Sequence, residues 1–176
     1  TDDNCGVESV ENDAPDAFPV GENIVTWTVT DIHGNTATVT QMVTVTDDEK
    51  PTITTPEDVT ASADEGLCEA SIDLVEPEVS DNCTIGLLQN DAPGAFPVGV
   101  TTVTWTVTDV HGNTATSTQT VTVTDDEAPT ITSPTTVFAL ADSGACSISD
   151  LVLDYPESFD NCEIDSIASD APYIFP

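Results

Sequence analysis

Residues 24–31 set Val25, Trp27 and Val29 between Thr26, Thr28 and Thr30, and residues 102–109 repeat the device with Val103, Trp105 and Val107. A period of two sends the apolar set to one face of an extended chain and the hydroxyls to the other, a pattern that no helix could bury as a stripe. Each run ends in a similar turn, Asp31-Ile32-His33-Gly34-Asn35 or Asp109-Val110-His111-Gly112-Asn113, whose Gly and Asn suit positive φ. Alternation then resumes through Ala37, Val39, Val43 and Val45 in one case and Ala115, Val121 and Val123 in the other. The pattern predicts two β-hairpins, each half-buried, with Trp27 and Trp105 as core anchors. Outward threonines such as Thr102, Thr104, Thr106 and Thr108 follow from β-propensity. A flat ice-binding ladder is not expected, because sandwich sheets twist.

The hairpins belong to a longer period. Asp3-Asn4-Cys5, Asp81-Asn82-Cys83 and Asp160-Asn161-Cys162 recur at intervals of 78 and 79 residues, and Cys68 and Cys146 keep the spacing of Trp27 and Trp105. Self-similarity of this length means equivalent units, each with its own core. On this reading residues 1–48 are the C-terminal part of one repeat, 49–126 a complete repeat, and 127–176 the N-terminal part of a third. The complete repeat adds Pro51-Thr52-Ile53, an alternating stretch at 59–63, a turn at Asp64-Glu65-Gly66, and Cys68 onward, before Glu76-Pro77-Glu78 interrupts. About seven short strands without helical periodicity predict an all-β chain of tandem immunoglobulin-like antiparallel β-sandwich domains joined end to end. The third segment stops at Pro176, ahead of its Trp-bearing hairpin, and is expected to leave open sheet edges.

The joints between repeats are acidic. Asp47-Asp48-Glu49-Lys50-Pro51 and Asp125-Asp126-Glu127-Ala128-Pro129 each place three carboxylates in a row before a proline. Adjacent carboxylates repel unless water or a cation screens them, and oxygen clusters suit a hard cation such as Ca²⁺. The last hairpin turn of an immunoglobulin-like unit lies at the pole where the first strand enters. Asp109 and Asn113, with Asp81, are therefore expected beside Asp47, Asp48 and Glu49 as an interdomain calcium site. Asp125, Asp126, Glu127 and Asp160 are the translated set; the competing reading is a solvated acidic linker. Over the whole chain 33 acidic residues face one basic residue, Lys50, for a net charge of −32, which disfavours nucleic acid and anionic lipid as partners. Neighbouring repeats of the same chain are the expected partners, with no direct membrane insertion, since no apolar run reaches the ~18 residues a span needs. No charged-then-apolar leader opens the chain, so an export signal is expected outside it. Lys50 becomes Ala128 in the next joint, which rules out a repeated Lys–Asn isopeptide bond.

Five cysteines without zinc-type spacing point to disulfides and an oxidising, extracellular compartment. Recurrence pairs Cys68 with Cys83 and Cys146 with Cys162, and leaves Cys5 with a partner ahead of residue 1. The rival joins Cys68 to Cys162 across the joint, and repeat symmetry does not choose between them. His33 and His111, each alone in its repeat at one turn position, are expected to be solvent-exposed turn residues. No nucleophile elbow or other catalytic motif occurs, so no enzyme is expected.

Asp81-Asn82-Cys83, Phe96-Pro97-Val98-Gly99, residues 102–109 with Trp105, Gly112-Asn113-Thr114-Ala115, and residues 122–131 resemble the hyalin-repeat (HYR) family. They resemble more closely the HYR-like tandem repeats of giant surface adhesins of Bacteroidota. The resemblance implies an immunoglobulin-like fold, export by the type IX route, and service as a stalk or adhesive filament at the cell surface, as in gliding motility. It departs from the animal pattern in its cysteines, so carbohydrate or receptor binding by animal members does not carry over. Asp165-Ser166-Ile167 resembles an O-glycosylation signal of Bacteroidota, with Ser166 as acceptor. The alternative function is a carbohydrate-binding module that recognises surface polysaccharide. It is disfavoured because both Trp residues are expected on core faces, whereas sugar platforms need outward rings.

Overall fold

The computed structural model describes Asn4, residues 6–149 and 151–171, and the backbone of Ile174–Phe175. Every regular element among these residues is a strand. The first hairpin consists of β1 (Val7–Asn12), β2 (Gly21–Asp31) and β3 (Thr36–Val45), ordered β1-β2-β3 in one sheet. β2 and β3 pair antiparallel without interruption from Gly21↔Val45 to Thr30↔Thr36, while β1 joins β2 with a register shift between Val7 and Ser9.

The middle repeat supplies β4 (Thr52–Ile53), β5 (Val59–Ser62), β6 (Glu69–Ala70), β7 (Val79–Ser80), β8 (Ile85–Asn90), β9 (Phe96–Pro97), β10 (Gly99–Asp109) and β11 (Thr114–Thr124). Its main sheet runs β5-β11-β10-β8, and β4 pairs with β7 and β6 with β9. The third segment contributes β12 (Thr130–Ile131), β13 (Ile148–Ser149), β14 (Ser158–Phe159) and β15 (Ile174–Phe175), in the antiparallel pairs β12–β14 and β13–β15. The chain is thus all-β, built of several antiparallel sheets, consistent with an immunoglobulin-like β-sandwich. One pairing departs from the antiparallel expectation: β5 lies parallel to β11, with Val59↔Val121 and Ser62↔Thr124 in register. The long stretch between them lets the chain return in the same direction, which a short hairpin loop cannot do.

By contacts the chain forms two compact units, which do not follow the sequence period. One takes residues 1–52, 79–88 and 107–115; the other takes 53–78, 89–106 and 116–176. In the second unit the alternation buries Val103, Trp105, Val121 and Val123 with Ala70 and Phe96. Trp105 Nε1 donates to Gln119 Oε1 at 3.1 Å, and Gln119 Nε2 donates to the Glu57 carbonyl at 2.7 Å, so both buried polar side chains are satisfied. In the first unit Val25, Val107 and Asp109 are buried.

Trp27 corrects an expectation. It makes the same bond as its counterpart, Nε1 donating to Gln41 Oε1 at 2.9 Å, yet it is 36% exposed where Trp105 is 2% exposed. The physical reason lies beside the hairpin. β11 is flanked by β5 and by the segment carrying Glu57, whereas β3, its counterpart, is a sheet edge. The third segment shows the complementary deficit: Phe138, Leu140, Val152 and Tyr155 are exposed, and a cavity of about 1120 Å³ opens among residues that include Val137, Leu151, Leu153 and Ile167.

Candidate metal centre and the disulfide

The turn after β10 is self-contained. Asp109 Oδ1 accepts the backbone N–H groups of His111 and Asn113, both at 2.8 Å, and Oδ2 accepts Asn113 Nδ2 at 2.8 Å. Gly112, at φ 93°, takes the left-handed position that closes it. Asp31 makes the same three bonds to His33 and Asn35 in the first hairpin. The Asn35 side chain, ahead of the backbone donors, holds the Asp31 carboxyl below its ordinary value. For Asp109 burial pulls upward most strongly, but the Asn113 side chain and the N–H groups of Asn113, His111 and Gly112 outweigh it and leave the carboxyl lowered.

This turn presents its far side to Asp47. His111 Nδ1 lies 3.0 Å from Asp47 Oδ2, and Asn113 Nδ2 donates to the Asp47 carbonyl at 3.2 Å. The Asp47 side chain is only 2% exposed, and a buried carboxylate must be paired. Its Oδ1 accepts the Glu49 N–H at 3.2 Å and Asn82 Nδ2 at 3.4 Å. The Cys83 thiol is the donor that lowers the Asp47 carboxyl most, and in return Asp47 pushes the Cys83 thiol up to about 11. Asp81 Oδ2 accepts the Cys83 N–H at 2.9 Å, while Asp81 Oδ1 is buried and, among the described residues, has no hydrogen-bond partner. One oxygen from each of Asp47, Asp81 and Asp109 lies within 4.8 Å of the others, and Asp47, Cys83 and His111 form a second, overlapping group at that distance.

The first joint therefore brings together Asp47, Asp81, Asp109 and Asn113, while Asp48 and Glu49 stay exposed, and Glu49 contributes only its N–H. Three carboxylate oxygens, with the Asp81 carboxylate carrying a buried, unpartnered Oδ1, have the chemistry of a hard-cation site. Cys83 and His111 were missed as neighbours of Asp47. The recurrence of Asp-Asn-Cys and of His in the turn is the available signal, since the expected topology puts both motifs at the same pole.

At the second joint, among the described residues, no three carboxylates meet within that distance. Asp125 Oδ1 accepts the Glu127 N–H at 3.1 Å and Asn161 Nδ2 at 3.2 Å, as Asp47 does with Glu49 and Asn82. Asp126 Oδ2 accepts Ser62 Oγ at 2.8 Å, Glu127 Oε2 accepts the Gly66 N–H at 2.9 Å, and Asp160 Oδ1 accepts the Cys162 N–H at 3.0 Å. The turn that would match Asp109 has no counterpart after Glu127 in this sequence.

The cysteine expectation is corrected. Cys68 is bonded to Cys162, with a Cα–Cα distance of 4.8 Å, while Cys83 and Cys146 are free thiols. Neither Cys68–Cys83 nor Cys146–Cys162 forms, and the rival pairing is the one present. Asn161 explains the choice: its Nδ2 donates both to the Leu67 carbonyl at 2.9 Å and to Asp125, tying the turn before Cys68 to the Asp-Asn-Cys loop. Cys5 lies outside the described residues. His33 and His111 are exposed, as are Lys50 and Ser166, although His111 is held by Asp47.

Residues 46–123 match the model of the HYR domain. Hyalin of Lytechinus variegatus is 38% identical over 126 residues, covering 66% of this chain and 24% of hyalin. Hyalin of Strongylocentrotus purpuratus is 39% identical over 113 residues, 61% of this chain and 9% of that protein. The rat sushi, von Willebrand factor type A, EGF and pentraxin domain-containing protein 1 is 37% identical over 108 residues, 58% of this chain and 3% of its own length. The chain spans a quarter or less of each of these relatives. The middle of the chain, residues 46–123, is thus similar to an HYR domain.

Proposed function

We propose that this chain is a structural and adhesive segment of a long cell-surface filament, built from tandem immunoglobulin-like repeats and carrying no catalytic activity. The observation that carries the reading is the convergence of Asp47, Asp81 and Asp109 where one repeat's last strand ends and the next repeat begins, with Asp81 Oδ1 buried and unpartnered. Ca²⁺ held there by these carboxylates, with Asn113 fixing Asp47 and Asp109, replaces like-charge repulsion with coordination and restricts bending at the joint. The chain's net charge of −32 keeps neighbouring filaments apart unless cations intervene. The acidic repeats and their resemblance to giant Bacteroidota adhesins favour an extracellular filament exported by the type IX route, of the gliding-motility type exemplified by SprB. Its partners are the adjoining repeats and, through a distal tip, surface polysaccharide or substratum.

Calcium titration calorimetry on this chain, and small-angle scattering of a several-repeat chain with EGTA or millimolar calcium, test the reading. Calcium is expected to bind the native chain, to bind an Asp81→Asn/Asp109→Asn variant more weakly, and to lengthen and stiffen the longer chain. No heat of calcium binding, with equal dimensions in all conditions, would reduce the joint to a solvated linker. Saturable binding on a glycan array would favour a carbohydrate-binding module instead.

A further inference from the structure

The two joints are built alike. Thr52 Oγ1 donates to the Ser80 carbonyl at 3.0 Å, and Thr130 Oγ1 to the Phe159 carbonyl at 3.1 Å. The N–H of Cys83 and that of Cys162 each reach the aspartate two residues earlier, at 2.9 and 3.0 Å. Asn82 and Asn161 each reach the first aspartate of their joint. Cys83 thus stands in the first joint where Cys162 stands in the second.

The turns that carry the other cysteines are also alike. Leu67 N–H donates to the Asp64 carbonyl at 2.9 Å, and Ala145 N–H to the Asp142 carbonyl at 2.9 Å. The Asp64 and Asp142 carboxylates each accept the N–H seven residues on, from Ser71 at 3.0 Å and Ser149 at 2.9 Å, and Gly66 and Gly144 both take positive φ, 74° and 83°. Cys146 is therefore presented as Cys68 is, and both are exposed.

At the second joint the turn of residues 64–68 is received at three points: Gly66 N–H by Glu127, the Leu67 carbonyl by Asn161, and the Cys68 sulfur by Cys162. The first joint holds the same three receivers, Glu49, Asn82 and Cys83. Glu49 is exposed and, among the described residues, its carboxylate makes no hydrogen bond; Cys83 is a free thiol.

We propose that the Cys68–Cys162 bond is one link of a relay, in which each turn cysteine bonds the Asp-Asn-Cys cysteine of the following repeat. Cys83 then takes the turn cysteine of the repeat before, and Cys146 takes the Asp-Asn-Cys of the repeat after. The relay rests on the tandem reading above. The partner is recognised by its chemistry: an Asp-x-Gly-x-Cys turn that offers a glycine N–H to Glu49, a carbonyl to Asn82 and a thiol to Cys83. Each closure turns two thiols into one S–S bond. Its two electrons and two protons pass to an oxidant of the disulfide class, which leaves as two thiols.

The test uses the full-length protein, isolated with an alkylating agent and no reductant, digested and mapped by mass spectrometry. The peptide of Cys83 is expected joined to that of the preceding turn cysteine, and the peptide of Cys146 to that of the next Asp-Asn-Cys, with alkylation of either only after reduction. Cys146→Ser in the full-length protein should expose one new alkylatable thiol, in the repeat that follows. Alkylated Cys83 or Cys146 in the unreduced protein, a bond inside one repeat, or a Cys83 thiol freed by EDTA alone as a metal thiolate would each overturn the relay while leaving the tandem reading intact. A full-length chain without further copies of the two cysteine motifs would overturn both.

Discussion

Trp27 and Trp105 offer an internal comparison of burial, because both sit at the same place in a hairpin and donate the same Nε1 bond to a glutamine on the partner strand. They differ in exposure, 36% against 2%. On a side chain of roughly 250 Å² that difference is about 85 Å², or about 2 kcal/mol at 25 cal/mol/Å². Trp105→Ala should therefore cost about 3–5 kcal/mol, as for a buried aromatic. Part of that cost comes from Gln119, whose Oε1 loses its donor in a buried site. Trp27→Ala should cost about 2 kcal/mol less, because Gln41 is exposed and water replaces the lost bond. Native-state hydrogen exchange reads the two ladders separately, the amides of β2–β3 and those of β10–β11, without assuming that the hairpins open together. Equal losses of protection in the two variants, or a larger loss from Trp27→Ala, would refute the argument that the covering segment with β5 makes the difference.

Reducing the Cys68–Cys162 bond releases a loop of 94 residues, and the chain-entropy account puts the loss on the order of 4–5 kcal/mol; an unchanged urea midpoint after reduction would contradict it. Gly86→Ala would set a Cβ 2.9 Å from the Asp109 carbonyl oxygen, so β8 and β10 must part, at a cost of about 1–3 kcal/mol. Gly94→Ala, with nothing within 4 Å of its Cβ, is the control and should not destabilise in the same urea melt. Asp31 and Asp109 titrate below 3.8 in the folded chain, so the stability they contribute is present above 3.8 and is lost as pH falls through the lowered folded values. Asn35→Ala should return Asp31 toward 3.8 in a carboxyl NMR titration, and an unmoved midpoint would count against the side-chain bond as the main cause. In this chain Cys83, raised to about 11 chiefly by Asp47, should alkylate more slowly at mildly alkaline pH than exposed Cys146, and Asp47→Asn should speed it. Equal rates for the two thiols would contradict that.

What could be read from the residues was whatever rests on local periodicity. The Val/Thr alternation and the Asp-x-His-Gly-Asn turns fixed both long hairpins, because strand faces and turn hydrogen bonds depend on neighbours within a few positions. The company of Asp47 is partly legible: topology brings Asp81, Asp109 and Asn113 to it, while Asp48 and Glu49 enter the expectation only because carboxylates adjacent in sequence look alike. Of the three joint residues, Asp47 turns its carboxylate inward, and the Glu49 N–H closes back onto its Oδ1. The disulfide was not legible, because a translational repeat makes Cys83 and Cys162 equivalent as partners of Cys68. The contacts of Asn161 with the Leu67 carbonyl and of Glu127 with the Gly66 N–H separate them. Likewise the exposure of Trp27 is a matter of which strand flanks β3, and that depends on chain far from the hairpin itself.

A bridge spanning 94 residues is longer than the repeat that contains its first cysteine, so consecutive bridges of a relay would overlap. The overlap is the stretch from Cys146 to Cys162, 16 residues. A pull on such a chain would run from one sulfur pair to the next through that stretch alone, and a fully unravelled repeat could extend only about 55 Å, at roughly 3.4 Å per residue. Without the bridges the same repeat would pay out about 270 Å. The folded length of a sandwich this size is roughly 30–40 Å, so load would reach covalent bonds before the tether had doubled in length. A line built this way would transmit traction promptly rather than absorb it as slack.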